Sequence, residues 1–378
     1  MQVSQIHLTD GTERLVSPPS QGHRLVMVFG SVARLEDGAL LASVNRCYPD
    51  SVVVGCSTAG EITGEGISDG GATVTAADFL QTRLRRAHAR VSRMEDSWRV
   101  GEQLAAELEA SDLVYVLVLS DGVHVNGSEL VSGLSSGLAE GVTITGGLAG
   151  DDGRFERTLV IDGESIEERA VVAVGFYGER LRVGHGSMGG WESFGPIRRV
   201  TRSRDNILYE LDGKPALTIY EAYLGEDAEQ LPASGLLFPL ALVSNDLRET
   251  GLIRTLLAVD RERGSLTFAG NVYEGGLVRL MHANFERLVD GSHNAADLAV
   301  RSLAGRGPTL SLLISCVGRR LLMGSDTDEE VDAARRVLGS ETLLTGFYSN
   351  GEISPFVPTA RCELHNQTMT ITNFHELD

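Results

Sequence analysis

Short apolar runs alternate along this chain with longer stretches whose apolar positions recur every three or four residues. That is the pattern of strands followed by helices. Residues 102–108 and 128–138 carry the helical spacing, and 170–183 reads as a strand broken at Gly178. A glycine-dense stretch follows over 184–196, and the spacing then predicts helices over 203–211 and 215–224, separated by Asp212-Gly213. Beyond Pro232 the pattern predicts strands over 236–243, 253–260 and 265–268, helices over 277–288, 294–304 and 329–338, and a last strand over 362–373. The polar opening segment with Pro18-Pro19 reads as a tail or an edge strand. The division expected is 1–22 as tail or edge, 23–213 as one domain and 214–378 as a second.

Within this alternation one phrase recurs. Val52-Val53-Val54-Gly55-Cys56-Ser57-Thr58-Ala59-Gly60-Glu61-Ile62 is matched by Leu343-Leu344-Thr345-Gly346-Phe347-Tyr348-Ser349-Asn350-Gly351-Glu352-Ile353. A looser copy, Thr143-Ile144-Thr145-Gly146-Gly147-Leu148-Ala149-Gly150-Asp151, places Asp151 at the acid position. Each copy follows an apolar run that ends in small polar residues and then a helical segment. Strand, turn, helix and strand are therefore expected three times over. The fold class expected is α/β: two related lobes, mixed sheets with helices on their outer faces, and an internal repeat. Glycine turns at equivalent strand ends predict a pocket, because glycine lets a ligand approach backbone N–H groups. Its polar lining would come from Cys56, Ser57, Thr58, Glu61, Asp151, Tyr348 and Glu352; the alternative is that the turns simply leave the sheet.

Composition narrows the chemistry. The 378 residues are 42% hydrophobic and carry a formal net charge of −19, which argues against nucleic acid and anionic membrane partners. No apolar run approaches the roughly 18 residues of a membrane helix, and the N-terminus lacks a basic, apolar leader. Four cysteines without Cys-x-x-Cys spacing fit a cytoplasmic setting. Lys214 is the sole lysine and precedes Pro215, which excludes a Walker phosphate loop and leaves a Schiff-base lysine poorly placed.

Gly184-His185-Gly186-Ser187-Met188-Gly189 has dinucleotide-fingerprint spacing, but Gly190 to Pro196 cannot open the helix that such a site needs. Gly133-Leu134-Ser135-Ser136-Gly137 matches a nucleophile elbow inside a helical pattern, which is the wrong place for one. No histidine spacing suits a structural zinc, so no metal is expected. One histidine among apolar walls would suffice for non-covalent haem b, and the candidates are His185, His365, His282 (read as helical) and His124. Arg198, Arg199, Arg202 and Arg204 could grip a carboxylate or propionate, or form a solvated face. Cys56 and Cys316 end repeat strands; without a legible base they read as buried residues, with a cysteine-dependent enzyme as the alternative.

These motifs resemble the FIST family of bacterial sensory and signal-transduction proteins. The N-terminal likeness rests on residues 55–62, on Ser120-Asp121-Gly122 and on residues 145–151. The C-terminal likeness rests on Glu210-Leu211-Asp212-Gly213-Lys214-Pro215-Ala216-Leu217, Ser315-Cys316-Val317-Gly318-Arg319, residues 346–353 and Leu364-His365-Asn366-Gln367-Thr368-Met369. The resemblance implies a non-enzymatic module that senses a small molecule and reports to a signalling partner. Stand-alone chains of this length resemble the NosP group, which binds haem, senses nitric oxide and acts on a histidine kinase or a cyclic-di-nucleotide enzyme. The other reading is a colourless sensor of a small, amino-acid-like metabolite; homo-oligomer formation stays open.

Overall fold

The computed structural model describes residues 1–9, 15, 22–303, 306–356 and 361–377. The first of three like modules comprises β1 (Gln2–Leu8), β2 (His23–Gly30), α1 (Val32–Leu35), α2 (Ala39–Cys47), β3 (Val52–Ser57), the hairpin β4 (Glu61–Thr63) and β5 (Gly66–Ser68), and β6 (Ala72–Phe79). The second comprises β7 (Arg83–Arg90), α3 (Ser97–Leu108), β8 (Leu113–Ser120), α4 (Gly127–Gly137), β9 (Thr143–Leu148), the hairpin β10 (Val160–Asp162) and β11 (Ser165–Glu167), and β12 (Ala170–Tyr177).

The third opens with β13 (Leu181–Met188) and is interrupted by an insert. The insert contains β14 (Glu192–Arg204), β15 (Ile207–Leu211), β16 (Lys214–Pro215), α5 (Ala216–Leu224), β17 (Leu240–Val243), β18 (Glu249–Arg254), β19 (Leu256–Asp260), β20 (Ser265–Phe268) and β21 (Leu277–His282). The module then resumes with α6 (Phe285–Arg301), β22 (Leu310–Cys316), α7 (Val317–Met323), α8 (Asp328–Leu338), β23 (Leu343–Ser349), the hairpin β24 (Gly351–Pro355) and β25 (Cys362–His365), and β26 (Met369–Glu376).

Each module builds a six-stranded mixed sheet, and each sheet borrows its last two strands. The orders are β1-β6-β2-β3-β10-β11, β7-β12-β8-β9-β24-β25 and β13-β26-β22-β23-β4-β5. The central pairs β2/β3, β8/β9 and β22/β23 run parallel, and the other pairings are antiparallel. Thus the hairpin after β3 completes the third sheet, the hairpin after β9 completes the first, and the hairpin after β23 completes the second.

The apolar runs are continuous because both faces of these strands are covered. Side chains alternate across a strand. Leu25, Met27 and Phe29 accordingly join a central cluster with Leu117, Leu119, Leu312, Ile314, Phe347 and Phe374, while Val26 and Val28 face α1 and α2. Val116 and Val118 likewise meet α3 and α4, and Leu313 meets α6 and α8. The fold is mixed α/β with helices on the outer sheet faces, and its repeat runs to three modules.

Several local expectations change. Residues 203–211 form the β14–β15 hairpin instead of a helix, with Asp205 at φ 52° in the turn. Residues 277–282 are strand β21, and the helix starts only after Asn284, whose side chain accepts from Arg287 N. His282 is therefore a strand residue. Much of the glycine-dense stretch is extended in β13 and β14, and the last predicted strand divides into β25 and β26. In the opening segment Gln2–Leu8 pairs with β6, while Pro18 and Pro19 lie outside the described residues.

Candidate functional site

The three turns that follow β3, β9 and β23 interlock. Gly150 N donates to Ser57 O at 2.9 Å, Ala59 N to Tyr348 O at 2.8 Å, Tyr348 N to Gly60 O at 2.9 Å, and Asn350 N to Leu148 O at 3.2 Å. Ser57 Oγ donates to Gly150 O (2.7 Å) and accepts from Leu159 N (2.9 Å). Gly150 must be glycine for this contact, since a Cβ would lie 2.7 Å from Ala59 N and 2.8 Å from Tyr348 O. The Gly-Glu turns of the first and third modules therefore meet, with Gly60 bonded three residues from Gly351.

Pairing register corrects the third copy of the phrase. Ile62 lies opposite Gly346, Ile161 opposite Gly55 and Ile353 opposite Gly146. The residues preceding those isoleucines are Glu61, Val160 and Glu352, so Val160 takes the acid position in the second module. Asp151 instead ties the loop beyond it, accepting from the backbone N–H groups of Phe155 (2.9 Å), Glu156 (2.7 Å) and Arg157 (3.0 Å).

Glu61 and Glu352 point inward. Glu61 accepts from Thr58 Oγ1 (2.7 Å) and Ser68 Oγ (3.2 Å); burial outweighs these donors and pushes its pKa up to about 7. Glu352 accepts from Ser349 Oγ (2.7 Å), Thr368 Oγ1 (2.8 Å) and Thr368 N (3.1 Å), and burial pushes its pKa up to about 8. An acid whose folded pKa exceeds its unfolded value favours the folded state most below the unfolded pKa. That stability is lost as pH rises through the window to the folded pKa. Chemical denaturation between pH 7 and 9, above the range in which a histidine titrates when unfolded, is therefore expected to show stability falling up to about pH 8. Glu352→Gln should flatten the decline; an unchanged slope would contradict a raised pKa at Glu352.

Beside the first turn lies an open cleft of about 510 Å³ bounded by Ala59, Asp69, Asp152, Val317 and Arg320. Arg320, on α7, occupies its floor. The guanidinium donates to Ala59 O and to Asp69 Oδ1 and lies 5.4 Å from the centre of the Tyr348 ring. Tyr348 is fully buried and donates to Glu330 Oε1 (2.7 Å). A carbonyl, a carboxylate and an aromatic face thus surround one cation. Sequence reasoning singled out Tyr348 and Glu61 but not Asp69, Asp152 or Arg320; nothing local marks Arg320 as a neighbour of Ala59.

Cys56 and Cys316 are buried, and burial raises both thiols, the opposite of nucleophile activation. The four histidines do not converge, and none lines a described cavity. His185 lies on β13, where Gly184 and Gly186 approach α6, so its side chain takes the opposite sheet face; burial lowers its pKa. His365 Nε2 donates to Ser354 O (2.8 Å), its ring stacks on Phe356, and burial pushes its pKa down to about 4. His282 meets Glu192 (3.3 Å), and His124 meets Asp121 (3.3 Å). Arg198, Arg202 and Arg204 pair with Asp212, Glu210 and Asp205. Among the described residues no group of three or more His, Cys, Asp or Glu side chains is arranged to hold a metal ion. No described helix is long and apolar enough to cross a membrane.

Comparison with known proteins gives two family matches: the FIST N domain over residues 24–214 and the FIST C domain over residues 216–355. An uncharacterized protein of Methanocaldococcus jannaschii, MJ1623, is 26% identical over an alignment of 310 residues that covers 72% of this chain and 56% of that protein. The chain thus spans little more than half the length of this relative. A crystal structure of a chorismatase aligns over 99% of this chain and 98% of its own, with 11% identity and a TM-score of 0.33.

Proposed function

This chain belongs to the FIST family, whose domains are signal-transduction sensor modules, and we propose that it senses a small metabolite bearing an ammonium or guanidinium group. The observation that supports this reading is the box around Arg320. An incoming cation would compete for the Ala59 carbonyl, the Asp69 carboxylate and the Tyr348 face. Displacing Arg320 would free α7, which follows directly from β22, and offer a partner a changed surface. The partner would be a histidine kinase or a cyclic-di-nucleotide enzyme, and no turnover is expected of the module itself.

Calorimetry with arginine and agmatine tests the reading. Arg320→Ala should tighten binding by removing the competing cation, and Glu61→Gln should weaken it by about 1–3 kcal/mol where the ligand reaches that carboxylate. If neither ligand binds the parent or Arg320→Ala, the cation reading fails. Haem with nitric-oxide sensing is the second reading, favoured by the buried Nδ1 atoms of His185 and His365, which have no partner. A haemin titration of the parent, His185→Ala and His365→Ala decides it: a Soret band lost with one histidine supports haem, and no band in the parent removes it.

A further inference from the structure

One short helix joins the Arg320 cleft to the insert. Successive side chains on a helix project about 100° apart, so three consecutive residues of α7 meet three different neighbours. Arg320 closes the cleft through Ala59 O and Asp69 Oδ1. Arg319 is buried against Glu330 and reaches on to Leu288 O of α6 (2.7 Å) and to Gly189 O, in the link between β13 and β14. Gly318 faces Gln367, in the link between β25 and β26. An added Cβ on Gly318 would lie 2.6 Å from Gln367 Nε2 and 2.9 Å from its Cδ.

Gln367 touches both sides of this boundary. It is fully buried and holds φ 63°, a left-handed conformation that a residue with a side chain keeps only where its surroundings impose it. Its carbonyl accepts from Trp191 Nε1 (2.9 Å), and its Nε2 donates to Leu236 O of the insert (3.4 Å). Trp191 opens the insert and packs on Ala241, Ile253 and Met281, from β17, β18 and β21. The next residue along is tied to the start of α7, since Cys316 N donates to Thr368 O (3.1 Å). Gln367 Oε1 has no hydrogen-bond partner and the Nε2 bond is long. The amide is therefore seated by its contact with Gly318 more than by hydrogen bonds, and a moved helix would re-seat it.

We propose that α7 couples the cleft to the insert. When Arg320 leaves its box the helix shifts, Gln367 follows Gly318, and the Trp191 contact at the entrance of the insert is remade. The buried pair of Arg319 and Glu330 holds the inner side of α7, so the helix tilts as a unit. Close-packed interiors compress little, so a displacement at Arg320 passes to Gly318, two residues away, and is not absorbed between them. This inference rests on the Arg320 cleft as the sensing site. It adds the route and the recipient: the insert is the part of the molecule that reports whether the cleft is filled.

Trp98 and Trp191 are the two tryptophans of the chain, so Trp98→Phe leaves Trp191 as the reporter. In that background Arg320→Ala should shift the emission of Trp191 and change its quenching by acrylamide, with no ligand present. Agmatine should do the same saturably in the variant that keeps Arg320. Gln367→Gly, which suits the left-handed backbone and removes the side chain that meets Gly318, should abolish both changes while calorimetry shows agmatine still binding. The proposal is overturned if Arg320→Ala leaves emission and quenching at their parent values, or if the changes persist in full with Gln367→Gly. Agmatine that binds without altering Trp191 also overturns it and leaves the cation reading standing. A change with Arg320→Ala that Gln367→Gly abolishes, in a protein that binds no agmatine, removes the cation reading and supports the coupling.

Discussion

Glu330→Ala is expected to lower the free energy of unfolding by about 3–5 kcal/mol, the range for breaking a buried ion pair by removing one partner. Glu330 is fully buried and accepts from Arg319 Nε (2.9 Å) and Nη2 (2.6 Å), Ser315 Oγ (2.9 Å) and Tyr348 OH (2.7 Å). Its carbonyl accepts from Ser292 Oγ (2.6 Å), and Arg319 reaches on to Leu288 O (2.7 Å) and Gly189 O. The Glu330 side chain therefore joins α8 to α7, β22 and β23, and through Arg319 it is linked to α6 and the loop that enters the insert. Its removal strands the Arg319 charge and the Tyr348 hydroxyl together. Urea denaturation at pH 7 measures the loss, and a decrease below 1 kcal/mol would show that water replaces the carboxylate without penalty.

Gly346→Ala should be nearly as damaging, costing about 3 kcal/mol or more, because overpacking here strikes backbone that cannot yield as a side chain can. A Cβ at Gly346 would lie 1.8 Å from Leu313 O in the paired strand β22. The same slot recurs at Gly55 against Val28 O and at Gly146 against Val118 O, each 1.9 Å away. Each parallel pair is thus squeezed at the same level of its module. Soluble yield and the urea midpoint of the variant report the effect, and a parent-like midpoint would mean that the strands separate freely there.

These glycines explain why the repeat was legible in sequence. The phrase from Gly55 to Ile62 returns from Gly346 to Ile353 because the same contact must be remade. The third copy misled for a physical reason: the chain from Gly146 to Ile161 takes a longer path through the loop tied by Asp151, so contiguous alignment sets Asp151 where Val160 belongs. Residues 277–282 were misread because Leu277, Val278, Leu280 and Met281 satisfy helical spacing as well as they satisfy a strand, and an apolar run that short does not distinguish the two. Residues 203–211 failed similarly, although Asp205-Asn206 carried a turn signal that outweighs the spacing of Ile207, Leu208 and Leu211. The site was least visible. Arg320 meets Ala59, and Gly318 meets Gln367, across separations that no local pattern encodes.

The borrowed hairpins have an evolutionary consequence. Three identical polypeptides around a threefold axis, each lending two strands to its neighbour, would have this topology; here the short connections from Phe79 to Arg83 and from Tyr177 to Leu181 make them one chain. Identical subunits must repeat every substitution three times, so no single corner of such a trimer can change alone. Covalent fusion lifts that constraint. Glu61 and Glu352 stand at two corners and Val160 at the third, and among the described residues only the third unit has an extra sheet between its first strand and its first helix. Three units in one chain can diverge corner by corner, a freedom that symmetry would deny to identical subunits.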